Sequence, residues 1–95
     1  MAAYVIADVD VTDPQGMGEY VRMVVPTVEQ FGGRYLVFGA SASALEGGWE
    51  PQTMALIEFQ TVEHARDWWE SDVYAAAKAQ RQRSSNCNLI VVAGV

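Results

Sequence analysis

Histidine and cysteine are nearly absent: the 95 residues hold one of each, His64 and Cys87. A single cysteine excludes a disulfide framework and a cysteine metal cluster. A single histidine leaves a zinc site without a second imidazole, so no metal and no cofactor is expected. Basic residues are scarce too, six against twelve acidic ones, for a net charge of −6. Such a chain repels phosphate backbones and has no basic run, so a nucleic-acid partner is not expected. No apolar run approaches the roughly 20 residues that a membrane-spanning helix needs, which argues against a membrane partner. The opening MAAYVIADVD lacks a basic leader and carries Asp8 and Asp10 within its apolar stretch, unlike a signal peptide. The expected location is therefore cytoplasmic, with the thiol reduced. Charged residues make up only 19% of the chain. That is few for a small chain that must cover itself in polar groups, and it points to apolar surface reserved for a partner.

What is present is apolar and aromatic, 51% and 11% of residues, which excludes disorder and predicts one domain over residues 1–95. Residues 3–11, AYVIADVDV, are β-branched and without helical period, a strand. Asp13-Pro14 reads as a helix start, and Met17, Tyr20, Val24, Val28 and Phe31 recur at steps of three and four on one stripe. Pro26 is expected to kink or split that helix, and Gly32-Gly33 to end it. Arg34 to Ala40 and Thr53 to Gln60 are two further strands. Strict alternation puts Tyr35 and Val37 on one face of the first, and Arg34, Leu36 and Phe38 on the other. The long polar loop between these strands, SASALEGGWEP, exceeds a tight turn, and loops of that length are often functional. Thr61 caps a second helix whose inner stripe is read as Val62, Ala65 and Trp69, with Trp68 at the border. Ser71-Asp72 opens a third helix, from Val73 to about Arg83, with Tyr74, Ala77 and Arg81 on one face. Ser84 to Asn86 is a turn, and Cys87 to Ala93 is the last strand.

The order β-α-β-β-α(α)-β predicts an α+β, ferredoxin-like fold: a four-stranded antiparallel sheet with helices on one face. The uncovered face then ought to be polar, yet the strands are apolar on both sides. Exposing such a face costs roughly 25 cal/mol per Å² of apolar area. A second copy is the simplest cover, so a homodimer packed sheet to sheet is expected.

The segments GGRYLVFG, LEGGWEP, ALIEF and LIVVAG, with the DP before the first helix and the WW in the second, resemble the short bacterial proteins grouped as domain of unknown function 1330. The resemblance covers nearly the whole chain. It implies membership of the dimeric α/β-barrel superfamily, and hence a dimer. That superfamily also includes cofactor-free antibiotic-biosynthesis monooxygenases, lactone isomerases and haem-degrading enzymes. By matching position, it marks Tyr20, Gly33, Arg34, Glu46, Gly47, Glu58, Ser71, Tyr74 and Arg81.

Several of these residues carry possible chemistry, each beside a plainer reading. Glu58 sits in an apolar strand, where desolvation suits a general acid or base, or a salt bridge to Arg34. Arg34 can fork onto a substrate carboxylate or tie Glu58 or Glu46 in place. His64 can carry a proton near neutral pH, or simply face solvent. Glu46 and Trp49 sit in the glycine-rich loop as acid and aromatic lid, or as loop anchors. Tyr74 and Arg81, two turns apart, can line a pocket for an anionic or aromatic ligand between helix and sheet, while Trp68, Trp69 and Tyr74 can equally be core. Two functions follow. One is a small-molecule binder, with cofactor-independent proton transfer or oxygenation resting on Glu58 and His64 and substrate held by Arg34, Glu46, Trp49, Tyr74 and Arg81. The other is a non-catalytic binding or assembly module. A closed pocket reached by Arg34, Glu58 or Tyr74 favours the first, and mutual pairing without a cavity favours the second.

Overall fold

The computed structural model describes residues 1–95. Its strands and helices are β1 (Ala3–Val11), α1 (Pro14–Gln30), β2 (Arg34–Ser41), β3 (Thr53–Phe59), α2 (Val62–Glu70), α3 (Asp72–Ser84) and β4 (Ser85–Ala93). The sheet order is β2-β3-β1-β4 with every pair antiparallel. This is the expected ferredoxin-like arrangement, with the helices on one face of the sheet.

Local chemistry accounts for most boundaries. Pro14 opens α1 because the first helical amide needs no partner. The helix ends in a left-handed cap: Gly32 takes φ +75°, its amide reaches Glu29 O at 3.0 Å, and the Gly33 amide reaches Val28 O at 2.9 Å. Thr61 and Ser71 cap α2 and α3, their hydroxyls accepting from the amides of His64 and Tyr74 at 3.1 Å each. Pro26 does not split α1, which runs unbroken across it. The turn expected at Ser84 to Asn86 is absent. α3 instead passes directly into β4, because the Ser84 carbonyl accepts from the amides of Thr12 and Asp13, at 2.9 and 3.0 Å, at the end of β1.

Register places three cross-strand rows on the helix-free face: Arg34–Glu58–Tyr4–Val92, Val37–Leu56–Ile6–Ile90 and Ala40–Met54–Asp8–Asn88. The middle row is wholly aliphatic, and Ile90 is 59% exposed. The other face carries Val5, Ile57 and Phe59 against Val24 and Val28 of α1, Ala65 and Trp68 of α2, and Tyr74 and Ala77 of α3, forming one core.

Two expectations about side-chain direction are overturned. Irregularities between Tyr35 and Val37 and between Phe38 and Ala40 break the alternation of β2. Gly39, at φ +72°, supplies a backbone conformation that other residues rarely adopt. Phe38 therefore joins Tyr35 on the helix face, ring centroids 4.3 Å apart, and Val37 turns outward. In α2 the inner aromatic is Trp68, 1% exposed, and Trp69 is the outer one at 40%. Ala65 and Trp68, three residues apart, share the buried stripe. Trp69 instead lies beneath the Lys78 ammonium, 3.9 Å from its ring centroid.

Candidate functional site

Three tyrosines from three elements meet on the helix side of the sheet. Tyr20 comes from the inner stripe of α1, Tyr35 from the start of β2, and Tyr74 from the first turn of α3. Arg81 lies two turns further along α3, on the same face as Tyr74 and Ala77. With Phe38, Trp68 and aliphatic residues of the strands, these four line a cavity of about 110 Å³. Sixteen of its nineteen lining residues are hydrophobic, and none is an acid or a histidine.

The polar groups of the cavity form a short chain. The Tyr20 and Tyr74 hydroxyls lie 3.0 Å apart, and Arg81 Nε donates to the Tyr74 oxygen at 3.3 Å. Burial raises the Tyr20 and Tyr35 hydroxyls well above the usual tyrosine value, with proximity to Tyr74 adding to the effect. Both therefore stay neutral donors through the physiological range. For Arg81, burial opposes the charge, but the Tyr74 oxygen beside it, and Cys87 and Tyr20 nearby, outweigh burial and hold the guanidinium above its ordinary value. Burial also raises the Cys87 thiol, against the pull of Arg81, so the thiolate form is disfavoured.

Arg81 is only 6% exposed. Yet the single salt bridge of the chain is Arg34–Glu58, so Arg81 is a buried cation without a carboxylate. Such a charge costs several kcal/mol unless something compensates it. Arginine cannot escape by losing its proton, as a lysine can. What this arrangement offers is a small apolar space at whose wall the polar atoms of Tyr20, Tyr74 and Arg81 bond to one another, while Arg81 also borders an outer depression that holds Asp8 and Asp10.

The residues singled out from the sequence fall into two groups. Tyr74 and Arg81 are brought together in the cavity. Arg34 and Glu58 pair on the opposite, helix-free face, Arg34 Nε to Glu58 Oε1 at 2.7 Å. His64 is exposed on α2, its Nδ1 2.7 Å from the Thr61 hydroxyl. Glu46 is exposed in the long loop. Trp49 anchors that loop, donating from Nε1 to Asp8 Oδ2 at 3.0 Å, while the Gln52 amide donates to Asp8 Oδ1 at 2.9 Å. Of the two features set against each other above, the structure holds both: a cavity with Tyr74 in its wall, and Arg34 paired with Glu58.

Tyr35 and Trp68 were not among the candidates for the cavity, and Tyr20 entered only by resemblance. Tyr20 is legible as a polar tip on an otherwise apolar stripe. Tyr35 carried no local signal, because its partners are distant in sequence.

The Arg34–Glu58 pair predicts a small effect. The Arg34 side chain is 72% exposed, and exposed ion pairs contribute at most about 1 kcal/mol. Glu58→Gln is expected to leave the fold intact and to lower stability by less than about 1 kcal/mol in urea unfolding. A loss of several kcal/mol would show that Glu58 holds more than this surface pair.

Comparison with solved structures identifies the fold. The RPA0582 protein of unknown function from Rhodopseudomonas palustris superposes with a TM-score of 0.74 at 18% identity, over 99% of this chain and 82% of the other. A dimeric ferredoxin-like protein of unknown function from Jannaschia sp. CCS1 gives a TM-score of 0.76 at 8% identity, over 99% and 100%. A protein provisionally assigned as an antibiotic biosynthesis monooxygenase, from Caulobacter crescentus CB15, gives 0.62 at 16% identity, over 99% and 90%. At these identities the likeness is one of fold. No curated protein matches the sequence. The family model described as Domain of unknown function (DUF1330) matches residues 2–95, and this chain belongs to that family.

Proposed function

We propose that this protein is a homodimer that binds a small, partly aromatic, anionic molecule in the cavity between sheet and helices. The observation that carries the reading is Arg81, buried beside the Tyr74 hydroxyl at the wall of an apolar cavity with no acid to pair it. Any turnover there draws on hydroxyl donors and a fixed positive charge, which stabilise negative charge developing on a bound oxygen. Isomerisation or cofactor-independent oxygenation of the ligand would also need a group to take up its proton, and the cavity lining holds no acid or histidine. Glu58 and His64, the acid-base candidates, lie outside the cavity lining, so the chain brings no base of its own into it.

The second copy covers the aliphatic row Val37–Leu56–Ile6–Ile90 through a two-fold, sheet-to-sheet contact. The dimeric relative from Jannaschia, which shares the fold, supports this. The other reading, a non-catalytic assembly module, draws on the same apolar face and on the Arg34–Glu58 pair at its margin.

Chemical-shift mapping separates the two. A set of small aromatic acids added to isotope-labelled protein is expected to move the resonances of Tyr20, Tyr35, Tyr74 and Arg81 together. Shifts scattered over the outer surface, or no shifts, would favour the assembly module.

A further inference from the structure

The two edges of the sheet differ. β2 carries two irregularities, a positive-φ glycine at Gly39 and the charge of Arg34, devices that keep an edge from pairing. β4, the opposite edge, has none of them. Its nine residues, SNCNLIVVA, hold no charge and no proline, and they pair with β1 without a break. The backbone groups that β4 turns away from β1 have no backbone partner.

A groove follows this edge. Two open depressions, of about 430 and 600 Å³, adjoin along β4 and share Trp69 and Leu89. The first is mainly apolar and lies between α2 and the strand, with Ala65 and Trp69 beside Leu89 and Val91. The second holds Arg81, Asp8 and Asp10 at the Ser85 end. We infer that β4 accepts an extended peptide as a fifth strand, with an acidic side chain at Arg81, a basic one at Asp10 and an apolar one between α2 and β4. In such an addition the main chain supplies affinity and alternate side chains supply specificity. The site is separate from the inner cavity, and the inference does not depend on what that cavity binds.

Charge selects the occupant. Arg81 approaches from the helix side of the sheet. Asp8 and Asp10 stand on the other face, in register with Asn88 and Asn86. The depression therefore wraps around the strand edge, with a cation on one side and acids on the other. Successive residues of a strand point to opposite faces, so an acid followed or preceded by a base meets both. Of the Arg81 nitrogens only Nε is hydrogen-bonded within the chain, to Tyr74. No side-chain nitrogen is sealed from solvent without a partner, so the others open to the depression. Asp8 is held by Trp49 and Gln52, whereas Asp10 is exposed and outside the one salt bridge. Every strand pair of this sheet is antiparallel. An antiparallel addition sets residues opposite Leu89, Asn88 and Cys87, and the preferred order from N to C is apolar, basic, acidic.

Two capped peptides test this by isothermal titration into the full chain at neutral pH. One is acetyl-Thr-Val-Thr-Val-Lys-Glu-Thr-amide, and the other has its Lys and Glu exchanged. The first is expected to bind, and the exchanged peptide to bind at least about tenfold more weakly. Asp10→Asn is expected to narrow that gap and Arg81→Gln to close it. Should Arg81→Gln fail to fold, the exposed Asp10 variant and the peptide pair decide. Bound peptide is expected to protect alternate β4 amides from hydrogen exchange while the Tyr20 and Tyr35 resonances stay in place. Equal binding of the two peptides would overturn the charge pairing and with it the occupant. No binding, or binding without protection of β4, would overturn the edge site. Protection of those amides in the free protein would show the edge already taken by a second copy, and would overturn it too. Each of these results leaves the cavity reading to its own test at Tyr20 and Tyr35.

Discussion

Replacing Trp68 by alanine is expected to cost about 3–5 kcal/mol of stability, the range for removing a large aromatic from a packed core. Trp68 is 1% exposed. Its ring lies 5.4 Å from Phe59 of β3 and 4.1 Å from Tyr74 of α3, centroid to centroid. Its Nε1 donates to the Thr27 hydroxyl of α1 at 3.0 Å, and that hydroxyl donates onward to Val24 O. One side chain of α2 thus joins a strand and both other helices. Its removal leaves a cavity and takes away a buried hydrogen-bond partner. Domains of this size are stable by roughly 5–15 kcal/mol, so the loss is about a fifth of the total or more. Trp69→Ala is the control. Trp69 is 40% exposed, with Lys78 over its ring, so its loss is expected to cost clearly less than that of Trp68. Urea unfolding of the two variants, measured side by side, decides the matter. Equal losses, or a larger loss at Trp69, would contradict the packing described for α2.

The second large effect is expected at the helix-free face. Ile90→Asp is expected to convert a dimer into a monomer at micromolar concentration, with the mass in light scattering falling to the 10.4 kDa of one chain. Ile90 is 59% exposed in the single chain, so the substitution leaves the monomer's core untouched. In a two-fold contact each substitution counts twice, and two carboxylates enter an aliphatic patch without a cation between them. Each such burial costs several kcal/mol. Since about 1.4 kcal/mol is tenfold in affinity, the dimer is expected to weaken by at least about a hundredfold. Val73→Asp is a like change at a similarly exposed position, 44%, on α3. It is expected to leave the mass unchanged. An unsubstituted chain that is already monomeric, or an Ile90→Asp variant that stays dimeric, would remove the sheet-to-sheet contact.

The two predictions bear on different halves of the molecule. Trp68 belongs to the helix side, where it also walls the cavity, and Ile90 to the outer side. Loss of dimerisation with the cavity's chemical-shift response to small aromatic acids intact would place the ligand site wholly within one chain. Joint loss would tie the cavity to the second copy.

Element order, strand count and the surplus of apolar residues on both sheet faces were legible in the chain, because each depends on near neighbours: alternation along a strand, steps of three and four along a helix, a threonine or serine before a helix, two glycines after one. Tyr74, Ala77 and Arg81 were legible as one face for the same reason. Tertiary structure alone decided which of Trp68 and Trp69 turned inward, since both fit a helical stripe and only packing against Phe59 and Tyr74 separates them. It alone decided that Phe38 joins Tyr35, since a bulge reverses alternation without altering composition. And it alone brought Tyr20 to Tyr74, across 54 residues of sequence, beside the buried Arg81. Contacts of that range are set by how sheet and helices stack, and no local pattern of residues encodes them.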